Sequence, residues 1–157
     1  MKNCFIIFIL LTLLPFGLYS QTFQVKVVGI SDGDTFTGLN RDNLQLKFRI
    51  HGIDAPEKKQ AFGSKAREHL GSLIFGQDVT VHVNDRDNLG RYIATVSVGD
   101  NRDVGKEMIQ AGLAWHYKHF DNTEAYALAE QTARDNKSGL WSDPGAIAPW
   151  EFRKKRP

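Results

Sequence analysis

Five short stretches of alternating apolar and polar residues, interrupted by a single helical pattern, constrain the fold of this chain more than any other feature. They cover residues 23–27, 35–39, 44–49, 79–83 and 92–98. A repeat of two residues is typical of a half-buried β-strand. Helices do not alternate with these strands as a parallel βαβ sheet requires. The pattern therefore predicts a small antiparallel barrel with helices packed at its base.

Apolar residues at helical spacing predict three helices. The first covers residues 62–75 and ends before Gly76, which is a common helix terminator. Asp103 is placed to cap a short second helix, and a longer third one covers residues 122–137. Residues 145–157 follow as a tail with four basic residues among its last five. We expect this tail to be a mobile, solvated end of the chain.

The first twenty residues have the composition of a secretory signal peptide. One positive charge at Lys2 precedes an apolar run over residues 5–14, and small or polar residues follow, with cleavage expected near Ser20. A transmembrane anchor is the weaker interpretation, since it needs about 20 apolar residues and Pro15 and Gly17 interrupt this run. The sequence thus predicts a secreted or periplasmic protein that has no membrane association after cleavage.

Length and composition bound the remaining possibilities. A chain of 157 residues suits one compact domain, expected over residues 21–144. The one cysteine, Cys4, excludes a disulfide scaffold and a cysteine-based zinc ribbon. The five histidines lack a recognised metal-binding spacing. A net charge of +2 is too small to indicate a nucleic-acid partner by itself.

Three short segments carry the residues from which chemistry can be expected. They are Asp32-Gly33-Asp34-Thr35, the run over residues 49–57, and the turn over residues 87–91. The first is an acidic turn, which alone is most often only a turn. In the second, a strand delivers Arg49 and the following loop delivers Asp54 and Glu57. The third presents Arg91 at the start of a strand.

Together these segments contain what phosphodiester hydrolysis needs. The reaction places extra negative charge on phosphate oxygens, and planar arginine side chains are suited to bind them. Asp34 and Asp54, with a loop carbonyl such as that of Ala55, form an all-oxygen site for a hard divalent cation. Glu57 lies just beyond it in sequence and is placed to orient or deprotonate the attacking water.

The combination resembles the staphylococcal nuclease (thermonuclease) family of secreted, calcium-dependent nucleases. Five motifs occur in the family's order and spacing: the DGDT turn, the R-x4-D-x-P-E run, the G-R pair at 90–91, and the segments 110–114 and 139–142. The resemblance covers residues 23–142. It implies an α+β fold, a five-stranded OB-fold β-barrel with three helices.

The family also implies an activity and roles for individual residues. The implied activity is cleavage of the P–O5′ bond of DNA and RNA, which leaves 3′-phosphate ends. The implied ligands of Ca²⁺ are Asp34, Asp54 and the Ala55 carbonyl, although this ligand set alone also accepts Mn²⁺ or another hard divalent cation. The implied catalytic residues are Arg49, Glu57 and Arg91.

The segment Trp115-His116-Tyr117-Lys118-His119-Phe120 mixes aromatic and basic residues, as a base-stacking surface does. Tyr117 is the candidate for the family's substrate-side tyrosine, and Trp115 and Lys118 are further substrate-binding candidates. Packing against the domain is the alternative for the aromatic residues. Because Asn88 and Leu89 replace a lysine and a tyrosine of the family's type member, we expect a weaker grip on the substrate.

Two functions of different classes fit the motifs. One is an active nuclease whose partner is nucleic acid, DNA or RNA, and which acts as a monomer without an obligate protein partner. The other is a catalytically inactive OB-type nucleic-acid-binding module. The active enzyme is favoured because all five residues expected at its active centre are present: Asp34, Arg49, Asp54, Glu57 and Arg91.

Overall fold

The computed structural model describes residues 21–154. The predicted signal peptide lies outside the described residues. Eight strands are present: β1 (Thr22–Ile30), β2 (Thr35–Leu39), β3 (Gln45–Ile50), β4 (Ile53–Asp54), β5 (Asp78–Arg86), β6 (Tyr92–Val98), β7 (Arg102–Asp103) and β8 (Trp115–His116). The helices are α1 (Gly63–Ile74), α2 (Val104–Gln110), α3 (Glu124–Asp135), a 3₁₀ turn (Gly139–Ser142) and α4 (Pro149–Lys154).

Five strands close into a barrel. Their order is β3-β2-β1-β5-β6, with antiparallel neighbours, and a parallel pairing of β3 with β6 closes the sheet. Register irregularities in β1 near Val27 and in β5 near Val83 bend these strands, as closure of a small barrel requires. The predicted α+β class and five-stranded OB-type barrel are confirmed.

The alternation read from the sequence matches the burial of the strands. Inward residues such as Val25, Phe48, Val81 and Val96 are almost fully buried, while their neighbours along each strand are more exposed. Strand β2 departs from this alternation, since Thr35 is buried beside Phe36. Phe48 stacks on Phe36 with ring centroids 5.1 Å apart. Burial of these apolar side chains holds the barrel together and fixes the register of its strands.

The three predicted helices are present and pack on the barrel. Helix α1 buries Ala66, Leu70 and Ile74 against the core, and Gly76 follows it with φ +75°. The Asp103 carboxylate caps α2 by accepting a hydrogen bond from the Lys106 amide. Between residues 21 and 154, no helix is both long enough and apolar enough to cross a membrane.

The C-terminal segment differs from the mobile tail predicted for residues 145–157. Its described part contains helix α4, which packs on the domain. Trp150 stacks on Tyr117 with centroids 5.1 Å apart and planes at 9°, and it meets Trp115 edge-on. Arg153 forms ion pairs with Asp54 and Glu57. Aromatic burial and charge pairing therefore order a segment whose basic composition suggested a solvated end.

Candidate active site

The DGDT turn between β1 and β2 places Asp34 at the mouth of the barrel. The amides of Ser31 and Asp32 both donate to the Thr35 carbonyl, which closes the turn. Gly33 is required here because a Cβ atom would lie 2.6 Å from that of Ala66 and 2.8 Å from that of Ala55. The turn thus lies directly against helix α1 and the loop after β4.

Strand register brings Arg49 beside this turn. Arg49 pairs with Thr35 across β2 and β3, and the Ile50 amide donates to the Asp34 carbonyl. The Arg49 guanidinium then bridges two carboxylates: Nη1 lies 2.9 Å from Asp34 Oδ2, and Nη2 lies 2.8 Å from Asp54 Oδ1. Arg49 therefore joins two acidic residues that lie twenty positions apart in the sequence.

Asp34 is a buried carboxyl group in a polar environment. Its Oδ2 accepts the Ala55 amide at 3.1 Å, and its Oδ1 accepts the Thr35 hydroxyl at 2.9 Å. Burial raises the pKa of Asp34 to about 6, although the Arg49 charge opposes this shift. The carboxyl group is thus poised to lose its proton fully when further positive charge approaches.

The negative charges of Asp34 and Asp54 raise the pKa of Arg49. Burial of the guanidinium lowers the pKa of Arg49, but the charges of the two carboxylates outweigh this cost and raise it overall. Arg49 therefore stays protonated and keeps its hydrogen-bond donors at any working pH.

Arg91 reaches the same region from the hairpin between β5 and β6. Asp87 holds it at two points, since the Arg91 amide donates to Asp87 Oδ1 at 2.9 Å and its Nε to Oδ2 at 2.7 Å. Burial alone would raise the pKa of Asp87, but hydrogen bonds from Arg91 and from the Leu89 amide lower it overall. Arg91 Nη1 lies 3.5 Å from the Thr35 hydroxyl, which links it to the Asp34 turn.

Glu57 is the partly exposed carboxylate of the site. Its amide donates to Gln60 Oε1 at 3.1 Å, which shapes the short loop before α1. Its Oε1 accepts a hydrogen bond of 2.9 Å from Arg153 on helix α4. The same guanidinium forms a 2.7 Å hydrogen bond to Asp54. Arg153 was not among the residues predicted from the sequence.

A single cleft of ≈ 770 Å³ at the barrel mouth collects most of the predicted residues. Those of the three motifs that line it are Asp34, Arg49, Ala55, Glu57 and Arg91. Asp54 lies beneath this surface, with no exposed area, and contacts Arg49 and Arg153 from below. Segments far apart in sequence thus meet at one site because closure of the barrel brings their strand ends together.

Of the three predicted substrate-binding residues, the structure brings only Tyr117 to this cleft. The β4–β8 pairing and a hydrogen bond from the Tyr117 amide to the Gly52 carbonyl hold it there. Trp115 and Lys118 instead line an adjoining groove of ≈ 500 Å³. Trp115 packs against Trp141, and Lys118 pairs with Glu130 at 3.2 Å. The packing alternative thus describes the surroundings of Trp115, and contact of Trp115 or Lys118 with substrate stays a prediction.

The donors at this site are hard oxygen ligands. Asp34 and Asp54 provide two buried carboxylates on neighbouring chain segments. Across residues 21–154, no group of three or more His, Cys, Asp and Glu side chains is arranged to hold a metal ion alone. Carboxylate oxygens are ligands that a hard divalent cation prefers.

Fold and cleft together define the class of protein: an OB-type barrel with arginines and carboxylates at its mouth. Comparison with known proteins agrees with this class. Residues 47–143 match the model of the family described as "Staphylococcal nuclease homologue".

Several curated relatives match over most of the chain. A micrococcal nuclease of Shigella flexneri is 39% identical over 143 residues, which is 84% of this chain and 81% of the relative. An uncharacterized endonuclease of Haemophilus influenzae is 37% identical over 130 residues, covering 83% and 72%. The protein ParB of Escherichia coli is 40% identical over 140 residues, covering 83% and 78%.

The chain belongs to the staphylococcal nuclease family. It is a nuclease, a hydrolase whose substrate is nucleic acid.

Proposed function

We propose that this nuclease hydrolyses phosphodiester bonds of DNA and RNA in a Ca²⁺-dependent reaction. It breaks the P–O5′ bond and leaves 3′-phosphate ends. The observation that carries the proposal is the convergence of Asp34, Arg49, Glu57 and Arg91 on one cleft, with Asp54 buried directly beneath it. Family membership supports the same chemistry.

The residues present fit a hard divalent cation. Asp34 and Asp54 would hold it together with the Ala55 carbonyl, because carboxylate and carbonyl oxygens are preferred ligands of Ca²⁺. Burial raises the pKa of Asp34 to about 6, and a cation bound beside it would lower that pKa. When bound, the cation would offset carboxylate repulsion of the phosphate and stabilise charge on it.

The two arginines act on the phosphate, and Glu57 acts on the attacking water. Arg49 and Arg91 donate hydrogen bonds to the non-bridging phosphate oxygens, whose negative charge grows in the transition state. Glu57 orients the attacking water and accepts one of its protons as the water oxygen bonds to phosphorus. The 5′-oxygen leaves as the P–O5′ bond breaks and takes a proton from solvent. Tyr117 lines the same cleft and offers a face for a flanking base.

The test is degradation of single-stranded DNA by the purified chain with CaCl₂ and with a chelator, beside the Glu57→Gln variant. We expect cleavage only with Ca²⁺, products that end in 3′-phosphate, and a loss of about 10²-fold or more in the variant, which cannot accept the proton. Asp42→Asn is a matched control, since Asp42 lies in the exposed turn before β3 and hydrogen-bonds to Asn40 there. Cleavage that survives chelation, or products with 5′-phosphate ends, would contradict the proposed chemistry.

We also propose that the enzyme acts outside the cytoplasm, in the periplasm or the medium. The support is the apolar run over residues 5–14 with its flanking charge and small residues. Mass spectrometry of the protein from periplasmic and medium fractions should find a mature N-terminus near residue 21. An intact residue 1 in cytoplasmic protein alone would contradict export.

A further inference from the structure

Arg153 covers the Asp54 carboxylate. Its Nη2 lies 2.7 Å from Asp54 Oδ2, and its Nη1 lies 3.1 Å from Oδ1. Nη1 also donates to Glu57 Oε1 at 2.9 Å. The guanidinium therefore binds Asp54 through both carboxylate oxygens and ties it to Glu57.

Both oxygens of Asp54 thus already accept hydrogen bonds from guanidinium groups. Oδ1 already accepts Arg49 at 2.8 Å, and the hydrogen bond that the structure gives Oδ2 comes from Arg153. Asp54 has no exposed area and does not line the cleft, whereas Arg153 does. A cation that approaches Asp54 from the cleft meets the guanidinium first.

Arg153 and a divalent cation are alternative occupants of this position. Both are positive, and both need the same carboxylate oxygens, so their repulsion at contact distance disfavours simultaneous binding. A carboxylate that pairs with an arginine binds a metal ion less tightly than a free carboxylate does. Only the molecules in which the arginine has moved away can bind the ion.

Helix α4 is also held on the domain by contacts that do not involve Arg153. Trp150 stacks on Tyr117 and packs edge-on against Trp115, so aromatic contacts fix the helix on the domain. The Arg153 side chain is 39% exposed, so it has room to move while the helix stays in place.

We propose that Arg153 is a third arginine of the active site, which exchanges with the metal ion. It neutralises Asp54 and Glu57 in the metal-free enzyme and leaves Asp54 when a divalent cation binds there. Its guanidinium then binds a phosphate group of the nucleic acid in the same cleft. This inference rests on the proposed metal-dependent function.

Calorimetric titration of the purified chain with CaCl₂ tests the exchange. The Arg153→Gln variant should bind Ca²⁺ about tenfold more tightly than the wild type, because the competing cation is gone. The matched control is Lys154→Gln, which removes one positive charge from the same helix. Lys154 pairs with Glu151 and not with Asp54, so its variant should bind Ca²⁺ like the wild type.

Steady-state kinetics on a single-stranded oligonucleotide at saturating Ca²⁺ test the phosphate contact. Arg153→Gln should raise KM about tenfold, leave kcat within about twofold, and reduce the salt dependence of binding by about one phosphate contact. Arg153→Lys keeps the charge without the two-point geometry and should give intermediate values of KM and of Ca²⁺ affinity. It also serves as the test variant if Arg153→Gln does not fold.

The outcomes separate this inference from the proposed function. Ca²⁺ affinity that is unchanged or weaker in Arg153→Gln, beside a wild type that binds Ca²⁺ and cleaves DNA, overturns the exchange alone. An unchanged KM, or a loss confined to kcat, overturns the phosphate contact and assigns Arg153 to holding Glu57. A wild type that binds no divalent cation overturns both the exchange and the metal-dependent function.

Discussion

The Arg49→Ala variant is expected to lose at least about 10²-fold in turnover and about 3–5 kcal/mol in free energy of unfolding. The loss of turnover is the scale for removing one fixed donor to a developing negative charge. The loss of stability follows from the two ion pairs of Arg49, with Asp34 at 2.9 Å and Asp54 at 2.8 Å. Both carboxylates are buried. Arg153 still pairs with Asp54, but Asp34 loses its ion-pair partner, which leaves a buried negative charge uncompensated.

Turnover on single-stranded DNA and denaturant unfolding of the metal-free protein measure these two effects separately. Arg49→Lys keeps a positive charge between the carboxylates but loses the planar pair of donors. Compared with Arg49→Ala, it should recover more of the free energy of unfolding than of the turnover. Arg102→Ala is the matched control, since Arg102 is 53% exposed and pairs with Glu107 away from the cleft. An Arg49→Ala protein with wild-type turnover at matched folding would exclude this arginine from phosphate binding.

The Arg91→Ala variant is expected to lose about 10²-fold in turnover, which is the scale for removing one hydrogen-bond donor to a developing oxyanion. Its free energy of unfolding should change little. Arg91 is 22% exposed, and its one ion pair is with Asp87 in its own hairpin turn. Pairs of this kind contribute about 0–1 kcal/mol to stability. Arg91→Ala should thus lower turnover without lowering stability, whereas Arg49→Ala should lower both.

Kinetics and thermal unfolding of Arg91→Ala, with Arg102→Ala again as control, test this separation. Asp87→Asn should cause a smaller loss of turnover, because it weakens the two hydrogen bonds that orient Arg91 and leaves its charge in place. If Arg91→Ala unfolds at a much lower temperature and keeps its turnover per folded molecule, Arg91 has a structural role only.

Much of the fold and of the site follows from local sequence pattern. The alternation in strands β1 to β3, β5 and β6 is visible because a barrel strand has one buried and one solvated face. Asp34, Arg49, Ala55, Glu57 and Arg91 stand in motifs whose spacing reflects where a strand ends and a loop begins. The structure brings these five residues to one cleft, with Asp54 beneath it.

Arg153 could not be predicted in the same way. It lies in a helix of six residues, which is too short for a clear helical period. Four basic residues at the chain end are typical of a solvated tail. Pro149 at a helix start and the aromatic residue Trp150 are only weak signals of a packed helix. Its contact with Asp54 joins residues 99 positions apart.

The sequence by itself determined the five barrel strands, the three helices α1 to α3, the family, and the residues of the three acidic and basic motifs. These features depend on residues that are close together along the chain, so the pattern of polar, apolar and charged residues in a short segment is enough to predict them. Only the tertiary structure decided that Arg49 bridges Asp34 and Asp54, that Tyr117 faces the cleft while Trp115 packs beside it, and that Arg153 covers Asp54. These depend on barrel closure and on aromatic packing of α4, which bring together residues that no local pattern relates.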